Sequence, residues 1–600
     1  MDTTKLEDEL DKIEVKGYDE ASLDAFMEAL KKEYADEYET LETVPLKIRT
    51  SKKANGFKIC RAYIDNSAST WDFAGRHTLI LPNSLQGTVN AVKYVEKEGK
   101  KLKCLGSKHS FSYIPQSDDI YFDLRETYDY SISGHNKKVE KLDFTPLERL
   151  KDTIKKENFF NAPAGMKISM INHILCPDKR RHKLIYKDKK RMFNMGGGDV
   201  QTIAGAFSTG THGSGGIYSA YHDMIRSIEL VASGGKVYRV EPNDGITDPM
   251  KHQQYYNQHQ NEVQVELIQD DDHFYSLLVS MGCFGIIYSV IMEISDMTLL
   301  HEEATYVEEG WNVETKNKLT TPILPQNPNE EIFNYIQINP YVIKGNKNPS
   351  ILIKEAKPTT NQASGKKIKN RNHWPQFFAK WGVSAKIIRI LANHGKMPKA
   401  NLIEKALKSQ NDNKDKGKGY TDLAYKVWNA GSGKLKSYGT GIEFCFPTEQ
   451  ISEVVDLLLA TMRRVGNLKR GYYLNAPLAL RFVRPSKGYL APNFHLDQEG
   501  NEVKEWCYLE VLRINGASED TDAKELEIYK HLQGMLALLG GRPHWGLNFG
   551  FNFTFKQLQK MYPNFNKWYA SYKFFNSSNL FQNRFTREAG LDDVLEELPA

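Results

Sequence analysis

Cysteine is scarce: six in 600 residues, at positions 60, 104, 176, 283, 445 and 507, with no C-x-x-C pair among them. That excludes a disulfide scaffold and a cysteine-based zinc site, and sets the expectation of a reducing, cytoplasmic environment. Long apolar runs are missing as well. The richest stretch, SLLVSMGCFGIIYSVIM (276–292), is interrupted by glycines and predicts a buried strand pair or a helix–strand unit, not a membrane span. The acidic start MDTTKLEDELDKIEVKGYDE has no apolar core, so neither a secretory signal nor an Arg-rich transit peptide is expected. A net charge of +5 is too small to argue for nucleic acid as a partner. Walker A, G-x-S-x-G and H-E-x-x-H motifs are absent. His173, His182 and His212 have no metal-ligand spacing, so no metal is expected. The glycines do not fall in a G-x-G-x-x-G pattern between a strand and a helix, which excludes a Rossmann dinucleotide site.

What is there is glycine in two dense places. HTLILPNSLQGTVNAVKYVEKEGKKLKCLGSKHSFS reads as strand, turn, helix and strand. Val89, Val92 and Val95 mark the helix face, Gly99 its end, and a small-residue loop around His109 follows the second strand. Between Met192 and Val240 eight glycines crowd into 21 residues (196–216), before the hairpin pattern SIELVAS-GG-KVYRV. Such density predicts backbone amides wrapped round a large planar or phosphate-bearing ligand. Leu23, Phe26, Met27 and Leu30 predict an amphipathic helix near the N-terminus. After residue 300 the texture changes. Lysine-rich, solvated loops at 357–374 and 408–422 alternate with helices predicted at 448–466 and 523–541. GTGIEFCFP, LALRFVRP and EWCYLEVLRI read as strands. The expected division is an N-terminal helical extension (1–65), a cofactor domain (66–300), a substrate or cap domain (301–548) and a C-terminal segment packing back on the cofactor domain (549–600).

The ordered series LGSKHSFS, NMGGGDVQTIAGAFSTGTHGSG, MGCFGIIYSVIMEI, ALRFVRPSKGYLAP, GGRPHWG and SSNLFQNRF resembles the vanillyl-alcohol oxidase superfamily, closest to its sugar-lactone and alditol oxidase branch. The resemblance implies an α+β fold: a two-subdomain PCMH-type FAD-binding domain with a second α/β cap domain. It implies that Leu105, Gly106, Ser107, Lys108, His109, Ser110 and Phe111 cradle the FAD pyrophosphate, with His109 joined covalently to the flavin. Lys108 stands where the branch has glycine. The second cradle would be Gly197, Thr202, Gly205, Thr209, Gly210, Thr211 and His212, with Ile286 at the adenine end. No cysteine lies in Asn194–Asp199, so a second covalent link is not expected.

On the substrate side Arg481 is retained, to stabilise charge on flavin or substrate oxygen, and Glu443, His544 and Glu510 are the candidate bases. The chain departs from the branch twice: Ala479 replaces the glutamate of its Glu-x-Arg strand, and Leu547 the lysine after His-Trp-Gly. The activity implied is oxidation of a CH–OH group of a sugar lactone or polyol by hydride transfer to flavin N5, with O2 or another acceptor. The two apolar replacements leave open a bulkier alcohol such as a sterol, or a flavin-binding protein with little catalysis.

Overall fold

The computed structural model describes residues 51–54, 56–66, 71–125, 127, 143–177, 187–327, 330–361, 396–410, 419–428, 439–466, 474, 476–514, 519–548 and 553–592. The helix expected around Leu23–Leu30 and most of the two lysine-rich loops lie outside these residues. The expected mixed α+β architecture is what the chain forms.

Three main sheets organise it. The first runs in the order β1-β2-β3-β5-β4, from Ser51–Ala54 (β1), Phe57–Ile64 (β2), Gly75–Pro82 (β3), Leu102–Cys104 (β4) and Ile120–Phe122 (β5). The helix Leu85–Lys97 connects β3 to β4. The Ser84 side chain accepts from the Gly87 amide at its start, Val89, Val92 and Val95 are buried along one face, and Gly99 turns the chain at its end with φ +64°.

The second sheet has the order β10-β9-β8-β11-β6: Phe159–Pro163 (β6), Ile225–Val231 (β8), Val237–Glu241 (β9), Glu266–Gln269 (β10) and Ile286–Glu293 (β11). A two-residue ladder, Lys190–Arg191 (β7) with Ser295–Asp296 (β12), lies apart from it. β8 and β9 form the hairpin legible in the sequence. The apolar stretch 276–292 resolves into the end of the helix Asp271–Leu277, a turn and β11, so it is a helix–strand unit. These two sheets share one large core. The C-terminal helix Phe565–Phe575 completes it with Phe565, Trp568, Tyr572 and Phe575, and the Leu102 amide donates to Leu580 O at 3.0 Å.

The third sheet is antiparallel throughout, in the order β16-β13-β15-β14-β18-β19-β17-β20. Its strands are Leu299–Val307 (β13), Phe333–Ile338 (β14), Ile351–Thr359 (β15), Tyr420–Leu423 (β16), Gly439–Pro447 (β17), Leu478–Val483 (β18), Trp506–Ile514 (β19) and Arg542–Pro543 (β20). Side chains alternate by the period of two. Ile442, Phe444, Phe446, Leu478, Leu480, Phe482, Leu509 and Val511 enter an apolar core. Val455, Leu458, Leu532 and Leu536, from the helices Ile451–Gly466 and Glu519–Leu538, meet them there. The intervening residues Glu443, Ala479, Arg481, Tyr508 and Glu510 take the opposite face, where the glycine-rich segment of the first half packs.

Gly215 is a tight point of that packing. Its amide donates to Phe482 O at 2.6 Å, its φ is +70°, and a Cβ there would stand 1.9 Å from Ile332 O. Gly215→Ala therefore adds a backbone clash to an unfavourable φ. The expected cost is about 2 kcal/mol, read as a lower urea midpoint at unchanged slope; an unchanged midpoint would mean the two halves pack less closely than described.

Candidate active site

Two loops and a sheet face converge. The first loop leaves β4 at Leu105, whose amide donates to Phe122 O at 2.7 Å. It is tied to the far end of the cap domain: the Phe111 amide and Ser110 hydroxyl both donate to Gly546 O (2.9 and 3.1 Å), and the Ser112 hydroxyl donates to Trp545 O at 2.8 Å. The sequence motifs LGSKHSFS and GGRPHWG are thus one structural unit. Arg542 serves that unit structurally. It is fully buried and donates to the carbonyls of Phe494, Leu496 and Met561.

Gly106 lies against Thr202 so closely that a Cβ would meet Thr202 Oγ1 at 2.3 Å. Thr202 precedes a short helix, Ile203–Ser208, which the glycine pattern did not foretell; the second cradle is loop, helix and loop, with Gly205 inside the helix. Between the two lies a cleft holding about 1070 Å³ of empty space out to its open mouth. Leu105 to Ser110, Thr202, Gly205, Thr209, Thr211, Gly282, Gly285, Ile287, His544 and Leu547 line it. Phe111, Gly210, His212 and Ile286 stand behind this lining; Ile286 itself is fully buried in the core, and its neighbours Gly285 and Ile287 reach the cleft. The Ser107 hydroxyl is buried with no partner in the protein, and Lys108 and Lys167 bring positive charge. An orphaned hydroxyl, small-residue walls and nearby cations fit a phosphate-bearing cofactor.

His109 faces this cleft. Burial first, then the charges of Lys167 and Lys108, push its pKa down to about 4, so the imidazole is neutral and nucleophilic near pH 7. Lys108 has φ +62°, the left-handed conformation that glycine adopts without strain.

The second cavity, of about 650 Å³, contains Gly197 and Gly213 from the glycine segment and Arg481, Tyr335, Lys354, Glu302, Phe333 and Trp428 from the cap. Except for Arg481, these cap residues carried no motif; only the strand pairing reveals them. Arg481 Nη2 donates to Glu510 Oε2 at 3.0 Å and the guanidinium lies 5.4 Å from the Tyr335 ring centre. Burial disfavours its charge, but Glu510, Tyr335 and Glu443 outweigh that and hold it firmly cationic.

Between the two cavities stand His212, Glu443 and His544, all buried, with ligand-capable atoms within 4.8 Å of one another. Distance alone would allow a cation. The hydrogen bonds of the histidines argue for a proton. His212 Nδ1 must donate to Gly213 O (2.7 Å), leaving Nε2 facing Glu443 Oε2 at 3.4 Å. Two lone pairs there repel, whereas a proton on Nε2 makes an imidazolium–carboxylate pair, with Tyr508 stacked beneath at 3.5 Å. His544 Nδ1 accepts from the Gly546 amide at 3.0 Å, so its proton sits on Nε2 and its lone pair is already used. Burial raises the Glu443 pKa, but His212 and then His544 and Arg481 outweigh it and hold the carboxyl well below its usual range. Burial lowers His544 to about 4.

The chain shares its mixed α+β fold with solved structures of cholesterol oxidase. The chain superposes on cholesterol oxidase from Brevibacterium sterolicum with a TM-score of 0.59 at 12% identity, covering 90% of this chain and 99% of that one. A mutant of the same enzyme gives 0.60 at 11% identity with the same coverage. The model of the D-arabinono-1,4-lactone oxidase family matches residues 348–589. It is 22% identical over 519 residues to a Mycobacterium tuberculosis protein named L-gulono-1,4-lactone dehydrogenase, covering 85% of this chain and 95% of the relative. It is also 24% identical over 143 residues to bovine (Bos taurus) L-gulonolactone oxidase, covering 24% of this chain and 29% of the relative. Among the described residues no helix is long and apolar enough to cross a membrane.

Lys108→Gly should relieve the left-handed strain and stabilise the protein by about 1 kcal/mol once glycine's own entropy is set against it; a higher melting temperature checks this. His109 and His544 titrate near 4 when folded against an ordinary 6.5. Below pH 6.5 the unfolded chain takes up protons that the folded one refuses. Their contribution is therefore complete above about 6.5 and is lost as pH falls towards 4. Urea midpoints should drop across that window, and His544→Asn should make the decline shallower.

Proposed function

We propose that the protein is an FAD-dependent oxidoreductase that oxidises a CH–OH group of a sugar lactone or closely related polyol, with dioxygen as electron acceptor and the flavin attached through His109. The observation that carries this reading is the meeting of three things at one place: the His109 cradle, the glycine segment, and the polar face of a lactone-oxidase-family sheet.

FAD, when bound, supplies the two-electron acceptor for the carbinol hydride. The chain's residues do the rest. Leu105 to Phe111, Thr202, Gly205, Thr209, Gly210 and Thr211 would hold the pyrophosphate and ring by amides and hydroxyls, with Gly197, His212 and the Ile286 backbone at the flanks. The neutral His109 imidazole has the lone pair that a covalent bond to the flavin requires. Arg481, firmly cationic, would stabilise negative charge on the substrate oxygen. Glu443 would steady the His212 ring through its 3.4 Å contact with Nε2, and His544 would carry its proton on Nε2. The Phe333, Tyr335 and Trp428 rings beside Glu302 and Lys354 give the second cavity an aromatic wall with polar edges, which suits the apolar face and hydroxyl rim of a small sugar ring. None of the six cysteines forms a disulfide, which supports a reducing, cytoplasmic compartment.

Two measurements test the reading. Flavin fluorescence should remain with the denatured polypeptide and map to the His109 peptide, and His109→Ala should release it; release from the wild type would remove the covalent link. D-arabinono-1,4-lactone or L-gulono-1,4-lactone should be turned over with peroxide release. Turnover only with an artificial acceptor would make the protein a dehydrogenase. Turnover of cholesterol alone would replace the lactone reading, and flavin bound without any turnover would leave a binding protein.

A further inference from the structure

One row across the third sheet contains two acidic residues. In register, Gln337 of β14 faces Ala479 of β18, Ala479 faces Glu510 of β19, and Glu510 faces Glu443 of β17. All four point to the face that meets the glycine segment. The carboxylates of Glu443 and Glu510 therefore lie side by side in a site that is largely closed to water, and two adjacent buried carboxylates cannot both stay charged without compensation.

Their surroundings divide them. Glu443 is 3% exposed at its side chain and is engaged with the His212 imidazole. Glu510 is nearer the second cavity, 13% exposed, and bonded to Arg481, itself a lining residue of that cavity. Burial raises the Glu510 pKa and the charge of Glu443 adds to it, against the lowering by Arg481 and His212; the net direction is up, while that of Glu443 is down. Facing Glu510 from its neighbours are Arg481 on β18, Glu443 on β17, Tyr335 on β14 and His212 on the glycine segment. A pair of carboxyls whose proton affinities are driven apart divides the labour into a fixed charge and a proton carrier. Glu510 meets the second cavity through Arg481, whose Nη2 donates to it at 3.0 Å, and in the same row the Gln337 Oε1 is buried without a partner.

We propose that Glu510 is the acid–base residue of this site: as a carboxylate it accepts the hydroxyl proton of a substrate bound at the Arg481 edge of the second cavity, while Arg481 steadies the oxygen and Glu443 remains a permanent anion. The balance is simple: the O–H bond breaks and its proton passes to Glu510 and on to solvent, while FAD, when bound, would accept the carbinol hydride. The inference rests on the lactone reading.

The test separates the two. L-gulono-1,4-lactone is titrated calorimetrically into holoenzyme whose flavin has been reduced beforehand, so that no turnover is possible, in two buffers of different ionisation enthalpy. Wild type should show a buffer-dependent heat, the sign of proton exchange on binding. Glu510→Gln should bind the lactone with that dependence abolished, while kcat falls by about 100-fold or more and loses its acidic limb; Glu510→Asp should recover part of both. Glu443→Gln should keep the buffer dependence. Glu510→Gln with the wild-type pH profile and wild-type proton exchange would overturn the proposal while leaving the lactone reading intact. Absence of lactone binding and turnover in the wild type would sink the reading itself, and the role of Glu510 with it.

Discussion

A charge taken out of water has to find an opposite charge, and the contact of His212 with Glu443 is where the two halves of this protein meet that demand. The glycine segment brings a histidine whose Nδ1 is already committed to Gly213. The cap sheet brings a carboxylate with no other charged partner on its own strand. Neither is comfortable alone in a buried seam. Once they face each other, the neighbouring positions follow: Tyr508 stacks on the ring, His544 joins the cluster, and Arg481 and Glu510 neutralise each other one step away. The rest of the interface is built so that nothing pushes these groups apart, and Gly213, Gly215 and Gly216 are there because any side chain would.

The same seam joins the cleft around His109 to the second cavity. The loop carrying His109 is anchored to Trp545 and Gly546 at the end of the cap. Two residues earlier in that segment, the His544 amide donates to Glu443 O. A displacement of the cap is therefore felt by the flavin loop through three hydrogen bonds, with no flexible linker between them.

Much of this was legible in the sequence because it is local. The helix Leu85–Lys97 showed its valine stripe and its terminating glycine, the β8–β9 hairpin its glycine pair, and the third sheet its strict alternation in GIEFCFP, LALRF and WCYLEVLRI. The loop around His109 was legible by its small residues, and Lys108 stood out as an irregularity whose meaning, a left-handed backbone, needed coordinates. What could not be read was the order of strands. Glu443, Arg481 and Glu510 become neighbours only because β18 and β19 insert beside β17 in the sequence-shuffled order of the sheet, and no periodicity encodes that. The short helix Ile203–Ser208 was hidden for another reason. Its glycine, isoleucine, phenylalanine and serine are weaker helix formers that offset its two alanines, and the packing of Thr202 against Gly106 imposes the turn. Lys354, Glu302 and Trp428 were silent because their types are ordinary on a solvated surface; only the cavity makes them notable.

The helix Phe565–Phe575 and the strand-like contact of Leu580 with Leu102 belong to the core of the first half, although they come last in the chain. A chain emerging from the ribosome folds its early part first. Here the core of the early part stays incomplete until Phe565, Trp568, Tyr569, Tyr572 and Phe575 have been made. The cleft around His109 therefore rests on a core that closes only after the third sheet has been synthesised, and a chain stopped before Phe565 would carry the whole His109 loop without the packing behind it.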